Sequence, residues 1–281
     1  MKKLFNKVTC FCVTALTAIS ASLCLFGNSP ATAAADEDFR YYDAPGVSTC
    51  AVGDTETITF ARKEEEFIEL TNGVPYYYVA SLDNACGPIA GGIVVGYYDK
   101  YFEDLIPNYT GYYAATGKYK RADNTHVPAM ISSLYTLMRT NVDDVGVSRS
   151  DCLAGLSSYV DSKNLDLTYT TVKAPDGSFN ETVYKTAINN GQPTLLFCYT
   201  VELLDLALDD TQDWVGVIQT GSAHVMVAFG YRKIQYYDAN NNNFRTDTYL
   251  KVASGWSANN MGYVKINNNS WLTAAYVAYI H

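Results

Sequence analysis

Two short stretches carry side chains whose types and setting could do chemistry. The first is Asn84-Ala85-Cys86-Gly87-Pro88-Ile89-Ala90-Gly91-Gly92. It predicts a helix from Pro88 to about Asp104, because a proline in the first turn lacks an N–H that would have no partner there anyway. Cys86 then stands at or just before the helix N-terminus. Main-chain N–H groups and the positive end of the helix dipole favour a thiolate at that place. Gly91, Gly92 and Gly96 each cost about 1 kcal/mol relative to alanine inside a helix. Close approach of the helix to other backbone would offset that cost. On these local features a buried structural cysteine, or half of a disulfide, accounts for Cys86 equally well.

The second stretch is Gly221-Ser222-Ala223-His224-Val225-Met226-Val227-Ala228-Phe229-Gly230-Tyr231. It reads as a buried strand with an imidazole near one end on a rigid support. A histidine in such a run is commonly a satisfied core residue. Beside a thiol on a helix N-terminus it becomes the natural general base and acid. Only two other histidines exist: His126, in a polar loop before a helix, and His281, the last residue.

Several elements must position these groups. An aromatic, β-branched run, Val74–Val79, predicts a strand leading into the cysteine helix. Helices are expected from Val127 to about Met138, after Ser148 or Ser150 as N-cap, and from Phe179 to Asn190. Strands are expected at Thr55–Phe60, around Leu165–Val172, and at Pro193–Tyr199, Ala223–Tyr231, Ile234–Asp238, Tyr249–Ala253 and Gly262–Ile266. A hairpin turn is expected at Asn240–Asn243. Helices first and an antiparallel sheet second make an α+β domain.

Lys2, Lys3 and Lys7, the apolar run Val8–Gly27 and the small residues around Ala31–Ala35 read as a secretory leader over residues 1–35. The expected product is exported, with no stable membrane insertion after leader cleavage. Residues 36–73 read as an attached extension and 74–281 as the main domain. The formal charge of −9 becomes about −12 without the three leader lysines, which argues against nucleic acid as a partner. Four cysteines remain beyond the leader: Cys50, Cys86, Cys152 and Cys198. Cys50 could pair with Cys152 or Cys198, or shield Cys86. No zinc-type spacing appears and no cofactor is expected. The 24 tyrosines are expected mainly to pack on sheets with wet hydroxyls, rather than to line a binding groove.

The motifs NACGPIAGGIVVGYYD, GSAHVMVAFGY and YLKVASGWSANNMGYVKI occur in this order over roughly residues 74–281. Together they resemble the papain-like cysteine peptidases, most nearly the stand-alone bacterial relatives of the leader peptidase domain of double-glycine exporters. The resemblance implies an N-terminal helical half whose nucleophile helix packs on a C-terminal antiparallel sheet, and a peptide or protein substrate. It further implies attack by Cys86 on a peptide carbonyl, proton transfer by His224, and an acyl-enzyme. Two positions depart from the pattern. Ala80 stands where the family has an oxyanion-hole glutamine, which leaves Asn84 as the substitute amide. Ser254, before Gly255-Trp256, stands where the family has the residue that orients the histidine, with Trp256 as the sheltering aromatic. Asp238 and Asn259 are the alternative orienting residues. An amidase or acyltransferase on the same fold, and a catalytically weakened module that binds peptide or surface polymer, are the competing functions.

Overall fold

The computed structural model describes residues 39–42, 50–120, 122–143, 145–174, 176–257, 259–267 and 270–281. The expected leader lies outside the described residues. In chain order the elements are β1 (Arg40–Tyr41), β2 (Thr55–Thr59), β3 (Arg62–Glu69), α1 (Cys86–Tyr98), β4 (Tyr112–Tyr113) and β5 (Lys118–Tyr119). Then come α2 (His126–Leu137), β6 (Val147–Ser148), α3 (Arg149–Asp161), β7 (Leu167–Thr171) and α4 (Glu181–Asn189). The chain ends in β8 (Thr194–Ala207), β9 (Gln212–Tyr237), β10 (Asn243–Ala253), β11 (Met261–Lys265) and β12 (Leu272–Ile280). Among the described residues no helix is long and apolar enough to cross a membrane.

The fold is α+β. Every residue of α1 is buried, as a helix apolar on all sides requires. It begins at Cys86 rather than Pro88 and stops at Tyr98, short of Asp104. Its glycines admit side chains rather than the backbone expected. A Cβ at Gly91 would lie 2.7 Å from Met138 Cε, and one at Gly92 would lie 3.0 Å from Ile131 Cγ1. At Gly96 it would lie 2.3 Å from Tyr77 Oη. Thus α2 and its C-terminal Met138 seat on one flank of α1. The Val74–Val79 run, expected as a strand, is instead irregular main chain outside any strand, and it presses the Tyr77 ring onto Gly96. Side-chain caps fix two other helices: Ser148 Oγ accepts from Asp151 N at 3.0 Å, and Asn180 Oδ1 accepts from Val183 N at 3.1 Å. Such caps contribute about 1 kcal/mol each.

The sheet is antiparallel throughout and is organised by β9, against which α1 packs. Its N-terminal half pairs with β2 and β8, and its C-terminal half with β10 and β3. β11 joins β10 to β8, closing a four-strand circuit, and β12 and β7 extend the sheet beyond β8. The sheet is therefore not confined to the C-terminal half, and the strand expected at Thr55–Phe60 joins it as β2. The extension contributes β2 and β3, and the charged run from Arg62 is itself an edge strand whose glutamates and lysine suit an unprotected edge. Strand β12 was not anticipated, and β8 and β9 far exceed the expected Pro193–Tyr199 and Ala223–Tyr231. Their distal halves enclose a second, smaller core of Ile58, Phe60, Leu204, Val217, Ile234, Tyr236 and Tyr249.

The tyrosines also differ from expectation. Many are fully buried and spend their hydroxyls on main-chain carbonyls rather than water: Tyr98 on Ala278 at 2.9 Å, Tyr159 on Leu105 at 2.7 Å, Tyr184 on Gly230 at 3.0 Å. Four others, Tyr97, Tyr101, Tyr112 and Tyr119, surround the Lys100 ammonium, with ring centroids 4.1 to 5.5 Å from Nζ. Burial lowers the Lys100 pKa to about 8. Next to it, burial pushes the Asp99 carboxyl up to about 6, although Ile106 N–H donates to it at 2.9 Å.

Two predictions follow from this packing. Gly96→Ala should destabilise the protein by about 1–3 kcal/mol in chemical denaturation, because the buried Tyr77 ring has no open space to enter. Asp99, with its pKa raised on folding, binds its proton more tightly in the folded state. Its contribution to stability therefore grows as pH falls through about 6 and is complete below its ordinary value of 3.8. Asp99→Asn, which can still accept from Ile106, should remove a wild-type gain on the order of 2–3 kcal/mol between pH 7 and pH 4. Denaturation midpoints that shift identically with pH in both proteins would refute this.

Candidate active site

His224 lies within β9, one residue after Ala223, and is 1% exposed. Its Nε2 lies 2.7 Å from the main-chain carbonyl oxygen of Ser254. A carbonyl can only accept, so Nε2 carries the ring proton in that bond. In the neutral imidazole Nδ1 is then the basic nitrogen. The Trp256 indole stacks on the ring, with centroids 4.4 Å apart and planes at 22°. Gly255 makes this arrangement possible. Its φ of +77° turns the chain between Ser254 and Trp256, and a Cβ there would come within 2.9 Å of Ile89 Cγ2 in the first turn of α1. The loop that holds the imidazole thus rests on the helix that begins with Cys86.

Cys86 is the first residue of α1 and is 4% exposed. No side chain caps this helix and no acidic residue occupies its first turn. The positive end of the dipole is therefore not offset by a neighbouring carboxylate, the setting that favours a thiolate. Cys86, Cys152 and Cys198 form no disulfide, so neither expected partner of Cys50 pairs with it and Cys86 is not shielded by Cys50. Cys198 faces His224 directly in the β8–β9 register. Burial first, and then the nearby Cys86 charge, push the Cys152 and Cys198 thiols well up. Of these three, the two on α3 and β8 are held as neutral core thiols, and Cys86 alone sits on a helix N-terminus.

The remaining candidates fall into place individually. Ser254 is at the site, but its carbonyl rather than its hydroxyl meets the histidine. Its Oγ donates to Asn259 O at 2.5 Å and accepts from Trp256 N at 3.1 Å, stapling the loop. Asn259 turns away, donating Nδ2 to Ile218 O at 3.0 Å and to Gln219 Oε1 at 3.2 Å. Asp238 is not brought to the site. It lies fourteen residues beyond His224, about 45 Å of strand, where its carboxylate accepts from the Asn240 and Asn242 amides at 2.9 and 2.8 Å and shapes the β9–β10 turn. Those bonds hold its pKa down. Asn84 sits two residues before Cys86 at φ +53°, with Nδ2 donating to Asn141 Oδ1 at 3.2 Å. One of its two N–H groups is thus committed to the loop after α2. Ala80 is exposed and has no side-chain donor.

His126 opens α2 rather than preceding it. Its Nδ1 lies 2.5 Å from Asp123 Oδ2, and Asp123 Oδ1 accepts from the His126 and Val127 amides at 2.8 and 3.0 Å. This is a helix-capping device beside a cleft of about 990 Å³ that contains neither Cys86 nor His224. Among the described residues no three His, Cys, Asp or Glu side chains gather as metal ligands.

Comparison of the chain with protein-family profiles and with curated proteins returned no match.

The carbonyl contact predicts unequal effects of two substitutions. Ser254→Ala keeps the carbonyl and should cost about 1–2 kcal/mol of stability for the lost hydroxyl bonds. It should leave the pH profile of Cys86 alkylation in place. Trp256→Ala removes the ring stacked on His224 and should displace that profile. Alkylation followed by peptide mapping checks both.

Proposed function

We propose that the chain is a secreted, papain-like cysteine peptidase that hydrolyses peptide bonds through Cys86 and His224. The observation that carries this reading is the fixed imidazole. Nε2–H of His224, on β9, is tied to the Ser254 carbonyl under Trp256, which leaves Nδ1 as the base, and the loop that holds the ring rests against the first turn of the Cys86 helix. Nucleophile, base and orienter are the three parts such chemistry requires.

In this mechanism His224 Nδ1 takes the Cys86 proton and Sγ bonds to the scissile carbonyl carbon. The resulting oxyanion is met by main-chain N–H at the start of α1, with Asn84 as the nearest side-chain amide in sequence. The C–N bond breaks as the imidazolium returns its proton to the departing amine. Water, deprotonated by the same nitrogen, then attacks the thioester, and the acid product leaves as Cys86 is regenerated. The family's glutamine donor is replaced by an alanine methyl at residue 80. A donor of that kind is typically worth about 2.7–4 kcal/mol of barrier, so turnover should be slow for the family. The partial commitment of the Asn84 amide to Asn141 favours, as the second reading, a weakened peptide-binding module.

Digestion of casein or a peptide library should fall at least about 10³-fold in Cys86→Ala and in His224→Ala. Equal digestion by wild type and both variants would end the peptidase reading. Peptide retention without cleavage by any of them would support the binding module.

A further inference from the structure

Residues Phe39–Tyr42 do not belong to the eight-stranded sheet. Among the described residues their strand, β1, pairs only with β6, Arg40 opposite Ser148 and Tyr41 opposite Val147. On the other side Tyr42 N–H donates to Ala223 O at 2.6 Å. The segment is therefore hydrogen-bonded from both flanks, as an inserted strand is. Those flanks are the two halves of the candidate site. Val147 Cγ1 lies 2.6 Å from where a Gly87 Cβ would be, next to Cys86, and Ala223 immediately precedes His224.

Ala223 is shaped for this contact. It has φ +52° in the middle of a strand, which disfavours any residue with a Cβ. The β8–β9 ladder pairs Cys198 with His224 and Thr200 with Ser222 but skips the pair between them. Tyr199 N–H, which would have met Ala223, donates to Trp271 O at 2.7 Å instead. The Ala223 carbonyl is thus rotated out of its own sheet and given to the incoming segment. Side chains anchor the segment as well. The Tyr41 ring is 2% exposed, meets Phe197 edge-on at 5.1 Å, and its hydroxyl lies 2.6 Å from Thr273 Oγ1. Phe39 leans on Tyr199, and Arg40 reaches Asp151 at 3.5 Å.

We propose that the groove between β6 and Ala223 is a docking site for an extended peptide bearing a tyrosine-like aromatic side chain, and that Phe39–Tyr42 fills it in cis, so that the chain blocks its own Cys86–His224 site. The choice of a peptide as occupant rests on the peptidase reading; the blockage does not.

The test is the rate of iodoacetamide alkylation of Cys86 in the chain from Asp36 onward, with Cys152 and Cys198 as internal controls. Tyr42→Pro removes the N–H that meets Ala223, and Tyr41→Ala empties the aromatic pocket. Each should raise Cys86 alkylation roughly tenfold, as expected for release of a mostly closed state, while Cys152 and Cys198 stay slow. Added acetyl-Phe-Arg-Tyr-Tyr-amide should return the rate toward wild type. An unchanged Cys86 rate in both variants, or an equal rise at all three thiols, overturns the proposal. Casein digestion on the same samples separates the two readings. An unblocked Cys86 without digestion leaves the self-blocking segment standing and removes the peptidase. Cys86-dependent digestion with an unchanged alkylation rate does the reverse.

Discussion

The structure depends on keeping one very long strand hydrogen-bonded along its whole length. Strand β9 runs 26 residues, from the edge formed with β2 to the hairpin tip at Asp238. A buried main-chain N–H or C=O without a partner costs about 1–3 kcal/mol, so each part of β9 must recruit a neighbour. That demand brings β2 and β3 of the N-terminal extension into the sheet and makes β11 bridge β10 back to β8. It also makes Ala223 conspicuous. There the ladder is broken at the expense of a left-handed backbone, and the orphaned carbonyl is satisfied by a segment 181 residues earlier in sequence.

One residue later the same strand presents His224, and the way that ring is held explains an apparent gap in the sequence pattern. A side-chain amide or carboxylate that orients an imidazole can be lost by a single substitution. A main-chain carbonyl is present whatever residue stands at 254. What the position requires is a chain path, and the path is set by Gly255 at φ +77° against Ile89, with the Ser254 hydroxyl closing the loop onto Asn259 and Trp256. The imidazole is thus held by backbone, with the serine side chain fixing the loop rather than the ring.

This also divides what could be read in the sequence from what could not. Cys86 before a Gly-Pro and His224 in an apolar run are legible because their side chains carry the signal. The helix caps and the α+β order are legible for the same reason. The Ser254 carbonyl and the Ala223 conformation have no residue signature. Asp238 looked like an orienter because it ends an expected strand, but a hairpin whose strands are twice as long as expected carries it far away. Val74–Val79 has strand-like composition, yet its Tyr77 is taken by the notch at Gly96, so packing on a helix overrides β propensity. Strand β12, alanine-rich at its centre, gives a weak β signal and exists because β7 and β8 flank it.

A dry site has an intrinsic difficulty that the geometry answers. Excluding water strengthens the interaction between a thiolate and an imidazolium, but an empty dry groove would leave Ala223 O and the β6 main chain without partners. An extended chain of matching polarity resolves both demands, since its main chain replaces water at the groove walls and its side chains close the pocket. Exchange of one such chain for another conserves the hydrogen bonds and changes only the side-chain fit. Affinity for an incoming peptide would then be measured against the internal Phe39–Tyr42 strand rather than against water. Under the proposed docking, the aromatic pocket at Phe197 and Thr273 would decide that competition, because it is where Tyr41 is fully buried with its hydroxyl bonded.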